Sequence, residues 1–233
     1  MSKSFGIVEY KLTETEFFLD KIINTEKKQI NWHEMNFYFS AFLTSARSIT
    51  FAIQVSINGD QDLIENYKEE QDKLKQNPEA RFFVEARNLS EKVGYYPIRN
   101  GCSKINDDGE REMLWYFDIW NEHALNYMPD EDVITVSKRF FVTLLKMVQS
   151  FYVRCGDIID SEKYYTLENL QQKGISIEDV EEELGFPRGW AKLEGVSDKE
   201  RINQIRDSQR VETPDWIFDK YLRQNRFGEP LND

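Results

Sequence analysis

The chain has 233 residues, room for one sizeable domain or a domain with an appendage. Aromatic residues make up 14%, too many large apolar groups for a disordered chain, so a packed core is required. Thirty Lys and Arg against forty-two Asp and Glu leave a net charge of -12, which excludes any global attraction to nucleic acid or anionic lipid.

From Thr13 to about Lys28, Phe17, Phe18, Ile22 and Ile23 form an apolar stripe against Glu14, Glu16, Asp20, Lys21 and Lys27. Thr13 with Glu16 three residues later reads as a capping box, which places a helix start at Thr13. Asn31 is the expected cap of a second helix that runs to about Ile57. Its central run, Phe37 to Ile53, is apolar nearly all round, the pattern of a helix buried on several sides. Ser40, Ala41, Thr44, Ser45 and Ser48 are small enough to let neighbouring helices approach closely. Arg47 lies within this run. A guanidinium there is either a core ion pair, a side chain reaching out at the helix edge, or part of the lining of a functional cleft.

Asn58-Gly59-Asp60 ends the second helix. Gln61 to Gln76 is a charged surface helix with Leu63, Ile64, Tyr67 and Leu74 as its few apolar positions. Asn77-Pro78 starts a fourth helix with proline at its first position, and Gly94 suits its end. Tyr95 to about Ile119 changes pattern. The turn signal Asn106-Asp107-Asp108-Gly109 precedes Met113-Leu114-Trp115-Tyr116-Phe117, rich in strand formers, and predicts a β-hairpin near 95–119. Pro129-Asp130 is expected to open a long helix to about Ile159. Its stripe of Val133, Val136, Phe140, Leu144, Met147 and Phe151 should pack on the second and fourth helices. Beyond it the chain is polar, and Gly174, Gly185, Gly189, Gly195 and Pro214 divide short helical pieces. Trp190 and Trp216 are expected to pin these pieces to the body. The expected fold is therefore mainly α: a helical bundle of about five long helices at 1–160, an inserted β-hairpin, and a C-terminal appendage of short helices at 161–233.

The chemistry-bearing motifs are few. No P-loop, dinucleotide fingerprint, zinc-protease helix, nucleophile elbow or EF-hand loop is present. Cys102 and Cys155 lie far apart and form no Cys/His cluster, which argues for free thiols and no metal site. No cofactor is expected. No secretory leader and no apolar run near bilayer length is visible, so the reading is a cytoplasmic protein without a membrane partner. Residues 174–187 have a helix-turn-helix flavour, but the helix is acidic, so DNA is an unsuitable partner.

One resemblance rests on Ser45-Ala46-Arg47-Ser48 in the buried helix, followed by Arg81-Phe82-Phe83-Val84-Glu85-Ala86-Arg87-Asn88. In helix order and in these two segments, residues 10 to 160 resemble the HEPN superfamily, helical bundles of prokaryotic defence and toxin–antitoxin systems, many of them RNA endonucleases. The family's motif is Arg, often Asn, then four to six intervening positions and His. The resemblance implies Arg87 and Asn88 as site residues and a homodimer that joins the Arg-bearing helices, with Phe82 and Phe83 adding apolar surface. Here Lys92 stands at the common histidine spacing, and no His occurs from 34 to 122. Metal-independent RNA cleavage needs a proton acceptor and a stabiliser of phosphorane charge. Histidine suits the first role near neutral pH; a cationic Lys92 does not. The candidate catalytic set is thus Arg87, Asn88 and Lys92, with Arg47 and His33 as candidate binding residues; His123 is a weaker substitute base.

Three functions follow. The first is a HEPN-like protein without robust nuclease activity, acting as an interaction, RNA-binding or regulatory component, as a homodimer or with a protein or RNA partner. The second is an active endonuclease using Arg87 with an atypical partner. The third is a helical scaffold with no nucleic-acid role. A single cleft holding Arg47, Arg87, Asn88 and Lys92 would favour a phosphate site.

Overall fold

The computed structural model describes residues 4–24, 31–99, 101–105, 107, 109, 111–118, 126–209 and 214–231. His123 and parts of the expected hairpin turn lie outside these residues. The chain order is α1 (Gly6–Ile23), α2 (Trp32–Ser56), α3 (Gln61–Gln76), α4 (Pro78–Val93), β1 (Cys102–Ile105), β2 (Arg111–Leu114) and α5 (Val133–Ile159). Five short helices follow: α6 (Ser161–Tyr164), α7 (Leu167–Gln172), α8 (Ile177–Glu183), α9 (Asp198–Ser208) and α10 (Asp215–Leu222). The fold is mainly α with one inserted antiparallel hairpin, as the sequence pattern predicts.

α1 begins a full two turns before Thr13. Thr13 sits inside the helix, where its hydroxyl donates to the Glu9 carbonyl at 3.0 Å. Glu16 is no cap either; it is buried and pairs with Lys220 at 2.5 Å. The buried stripe of α1 is Val8, Leu12, Leu19 and Ile22, whereas Phe17 is exposed. Tertiary burial decides the helix here, and the local capping pattern was coincidental. α2 is capped as its sequence indicates. The Asn31 Oδ1 accepts the Glu34 amide at 3.0 Å, and Glu34 accepts the Asn31 amide in return. Its buried row of Phe39, Phe42, Ala46, Ile49 and Ile53 follows helical spacing.

α3 is capped by Asp60 and α4 by Asn77, with Pro78 at the first position of α4. Gly94 ends α4 at φ +66, a left-handed conformation that glycine adopts without steric cost. The hairpin pairs Cys102 with Leu114 through Ile105 with Arg111. It continues as a bridge between Ile98 and Phe117, so Trp115 and Phe117 enter the core. α5 opens later than Pro129-Asp130 suggests: Asp132 is its cap, accepting from the amides of Ile134 and Thr135.

One core joins α1 to α5 and the hairpin region, and α10 adds Ile217 and Phe218 to it. A second, smaller core lies under α6 to α9, formed by Tyr164, Tyr165, Leu170, Val180, Ile202 and Ile205. The tryptophans do not pin the C-terminal pieces. Trp190 and Trp216 are about half exposed, at 60% and 49%, and Trp190 stacks on the partly exposed Phe186. An ion cluster does that work. Arg226, buried near the chain end, donates its Nε to Asp160 at 2.8 Å and also pairs with Asp215 and with Glu162 at 3.0 Å. These charges hold the guanidinium well above its ordinary pKa against the opposing effect of burial. Nearby, the Tyr152 hydroxyl donates to the buried Glu9 carboxylate at 2.5 Å, and burial raises the pKa of both groups.

Removing one partner of such a buried cluster leaves its acids uncompensated. Arg226→Ala should therefore cost about 3–5 kcal/mol in urea unfolding. A loss below about 1 kcal/mol, the range of a surface pair, would show that apolar contacts alone dock the tail.

Candidate binding cleft

α2, α3, α4 and α5 leave a half-open cleft of about 760 Å³ between them. Each helix supplies one row at helical spacing. Leu43, Ala46, Arg47 and Thr50 of α2 form one wall, and Tyr67, Gln71 and Leu74 of α3 the opposite one. Phe83 of α4 with Phe140 and Leu144 of α5 make the floor. The two floor rings stack at 4.1 Å between centroids, 5° from parallel. The space exists for a local reason. Ala46 and Ala80 carry no bulk beyond Cβ, and α3 places Gln71 in its inward row where a large apolar residue would fill the wedge.

The rim is charged. Arg81 at the start of α4 reaches back to the end of α3, donating its Nε to the Lys75 carbonyl at 2.6 Å. Its Nη1 donates to the Tyr127 hydroxyl at 3.0 Å, and its guanidinium lies over that ring at 5.5 Å. A cation at a helix C-terminus meets free carbonyls and the negative end of the dipole. Lys75 pairs with the exposed Asp72 at 2.9 Å. Arg47 is different. It is half-buried, its Nη1 donates to the Thr50 hydroxyl at 3.2 Å, and its guanidinium stacks at 4.5 Å over Phe51. Among the described residues no carboxylate pairs with it. The core ion pair considered from sequence is thus replaced by a cation–π contact and an open set of donors.

The expected site residues are not all found in this cleft. Arg47 lines the cleft; Arg87, Asn88 and Lys92 do not. Arg87 is half-buried, and its Nη1 donates to its neighbour Asn88 at 3.4 Å, a long contact. The Arg87 Nε is buried without a partner. Lys92 is exposed. The positions around them stitch α4 to α2 instead: the Ser40 and Ser90 hydroxyls meet at 3.0 Å, and Thr44 donates to Glu91 at 2.9 Å. His33 is exposed on the first turn of α2, its ring 4.9 Å from Trp32 and 6.3 Å from Phe37. Phe82 and Phe83 offer no docking surface. Both are buried: Phe82 meets Phe117 at 4.7 Å, and Phe83 meets Phe140.

Sequence reasoning missed Arg81, Lys75, Tyr127 and Glu85 as neighbours of Arg47. One signal was available: Asn77-Pro78 makes so tight a link that a cation one turn into α4 returns to the last carbonyls of α3. Among the described residues no group of three His, Cys, Asp or Glu could hold a metal ion, and no helix is long and apolar enough to cross a membrane. Compared with protein-family models, with curated proteins and with solved structures, the chain matches none.

A guanidinium with a buried unsatisfied Nε and no acid partner contributes little to stability. Arg87→Leu should change the unfolding free energy by less than about 1 kcal/mol, or raise it. A loss above about 2 kcal/mol would show that Arg87 holds α4 in place.

Proposed function

We propose that the protein is a non-catalytic binding component, HEPN-like in helix order, which acts through its α2–α5 cleft and does not cut RNA. The observation that carries this reading is the make-up of the cleft: Arg47 lines it, while Arg87, Asn88 and Lys92 do not. A phosphoryl-transfer site needs a base and a charge stabiliser converging on one atom. Arg87 instead contacts Asn88, Lys92 is exposed, and neither makes a hydrogen bond to His33 among the described residues. The net charge of -12 also opposes a polyanionic partner.

The setting in a prokaryotic defence or toxin–antitoxin system, the cytoplasmic location and the homodimer belong to this proposal through the resemblance alone. The dimer loses its second ground, because Phe82 and Phe83 are spent in the core.

The test is cleavage of a fluorescent single-stranded RNA at neutral pH without added metal. Wild type, Arg87→Ala and Lys92→His should all remain at background. Wild-type cleavage that falls by about 10²-fold or more in Arg87→Ala, the scale of a lost catalytic group, would overturn the reading and establish an endonuclease with an atypical base.

A further inference from the structure

We propose that the cleft takes a small monoanionic amphiphile, a carboxylate with an apolar body of medium length, its carboxylate on Arg47 and its body on the Phe83–Phe140 floor. The inference rests on the binding reading above and names the chemistry of its ligand.

Three observations converge on this class. The first is size. About 760 Å³ lies inside the range that encloses a drug-sized molecule, roughly 300–1,000 Å³. A folded nucleic acid or a protein helix does not fit such a wedge. The second is the floor. Leu43, Phe83, Phe140 and Leu144 are buried and close the inner end of the cleft with carbon alone, so the part of a ligand that reaches them must be apolar. The third is charge. In a chain of net charge -12, three of the four charged residues described on the lining are cations: Arg47, Lys75 and Arg81, with Glu85 as the single acid.

The three cations are not equivalent. Lys75 is engaged by Asp72, and Arg81 by the Lys75 carbonyl and Tyr127. Arg47 alone keeps an open fork, braced from behind by Phe51 and Thr50. A planar guanidinium held in this way matches a carboxylate in two parallel hydrogen bonds. Glu85 makes no ion pair with Arg47 and disfavours a second negative charge, so the cleft selects against dicarboxylates and phosphate monoesters. A neutral ligand would leave the Arg47 donors without an acceptor in a partly dehydrated site.

The probe is octanoate, titrated by calorimetry into the full chain below its micelle-forming concentration. 1-Octanol, octylamine and suberate serve as neutral, cationic and dianionic controls. Octanoate should bind saturably at one site, and each control at least about tenfold more weakly. Arg47→Gln should weaken octanoate by about tenfold or more, with Arg47→Lys intermediate. Val84→Trp fills the cleft from a position 38% exposed, which tolerates a large side chain, and should abolish binding. Arg188→Gln, far along the chain on the α8 acids, should leave it unchanged. Circular dichroism of every variant separates loss of binding from loss of fold. Absent saturation, equal affinity for octanol and octanoate, or undiminished affinity in both Arg47→Gln and Val84→Trp would overturn the inference. RNA cleavage by the wild type would instead remove the non-catalytic reading, whatever octanoate does.

Discussion

The structure depends on a single aromatic junction where α2, α4, the hairpin and α5 meet. Phe83 stacks on Phe140 at 4.1 Å, lies 6.0 Å from Phe42 and 6.1 Å from Phe39, and touches its own neighbour Phe82 at 5.3 Å. Phe117 of the hairpin closes the cluster from the far side, at 4.7 Å from Phe82 and 5.7 Å from Phe39. Burying rings of this size supplies much of the apolar driving force, and ring geometry adds direction to it. The cluster orients α4 between α2 and α5. Both rings are buried and also line the inner end of the cleft, so the contact that closes the bundle also floors it.

Charge is arranged around this apolar centre in two ways. Where it is buried it is neutralised: Arg226 among Asp160, Asp215 and Glu162, and Arg201 with Glu178 and Glu181 at 2.9 and 3.2 Å. The Arg201 group holds the small core under α6 to α9, where Glu181 also accepts the amides of Gly189 and Ala191. Such clusters serve geometry, since a buried arginine without acids would be expelled. Around the cleft the balance differs. Arg47 is half-buried and has no acid, so the site holds uncompensated positive charge within an acidic molecule. The charges of the two structural clusters are balanced internally, whereas that of Arg47 is not.

The sequence was informative where a signal is local. Asn31 before α2, and Asn77-Pro78 with Gly94 around α4, set helix ends through groups within one turn, and these appear as read. The all-round apolar pattern of Phe37 to Ile53 identified the buried helix. Signals that depend on distant partners misled. Thr13 and Glu16 have the spacing of a capping box, but the first helix already runs through them because Val8 and Leu12 are buried further back. Trp190 and Trp216 looked like anchors because of their size, while the anchoring falls to Arg226, whose acids lie at 160, 162 and 215. Arg87 and Arg47 looked like one site because the resemblance joined them. Arg87 shares the α4 stripe of Ala80, Phe83 and Val84, but it lies a turn beyond them and does not line the cleft. Spacing within one helix gives the shared stripe but not how far along it a neighbouring helix leaves a cleft.

The central claim is that the Phe83–Phe140 stack is a specific contact that organises the bundle, beyond two side chains that merely share a core. A double-mutant cycle with Phe83→Leu, Phe140→Leu and the pair, read by urea unfolding, measures it directly. The account predicts a coupling of about 1 kcal/mol, the scale of a well-formed aromatic pair. Additivity within about 0.3 kcal/mol would contradict it and reduce the stack to ordinary apolar burial.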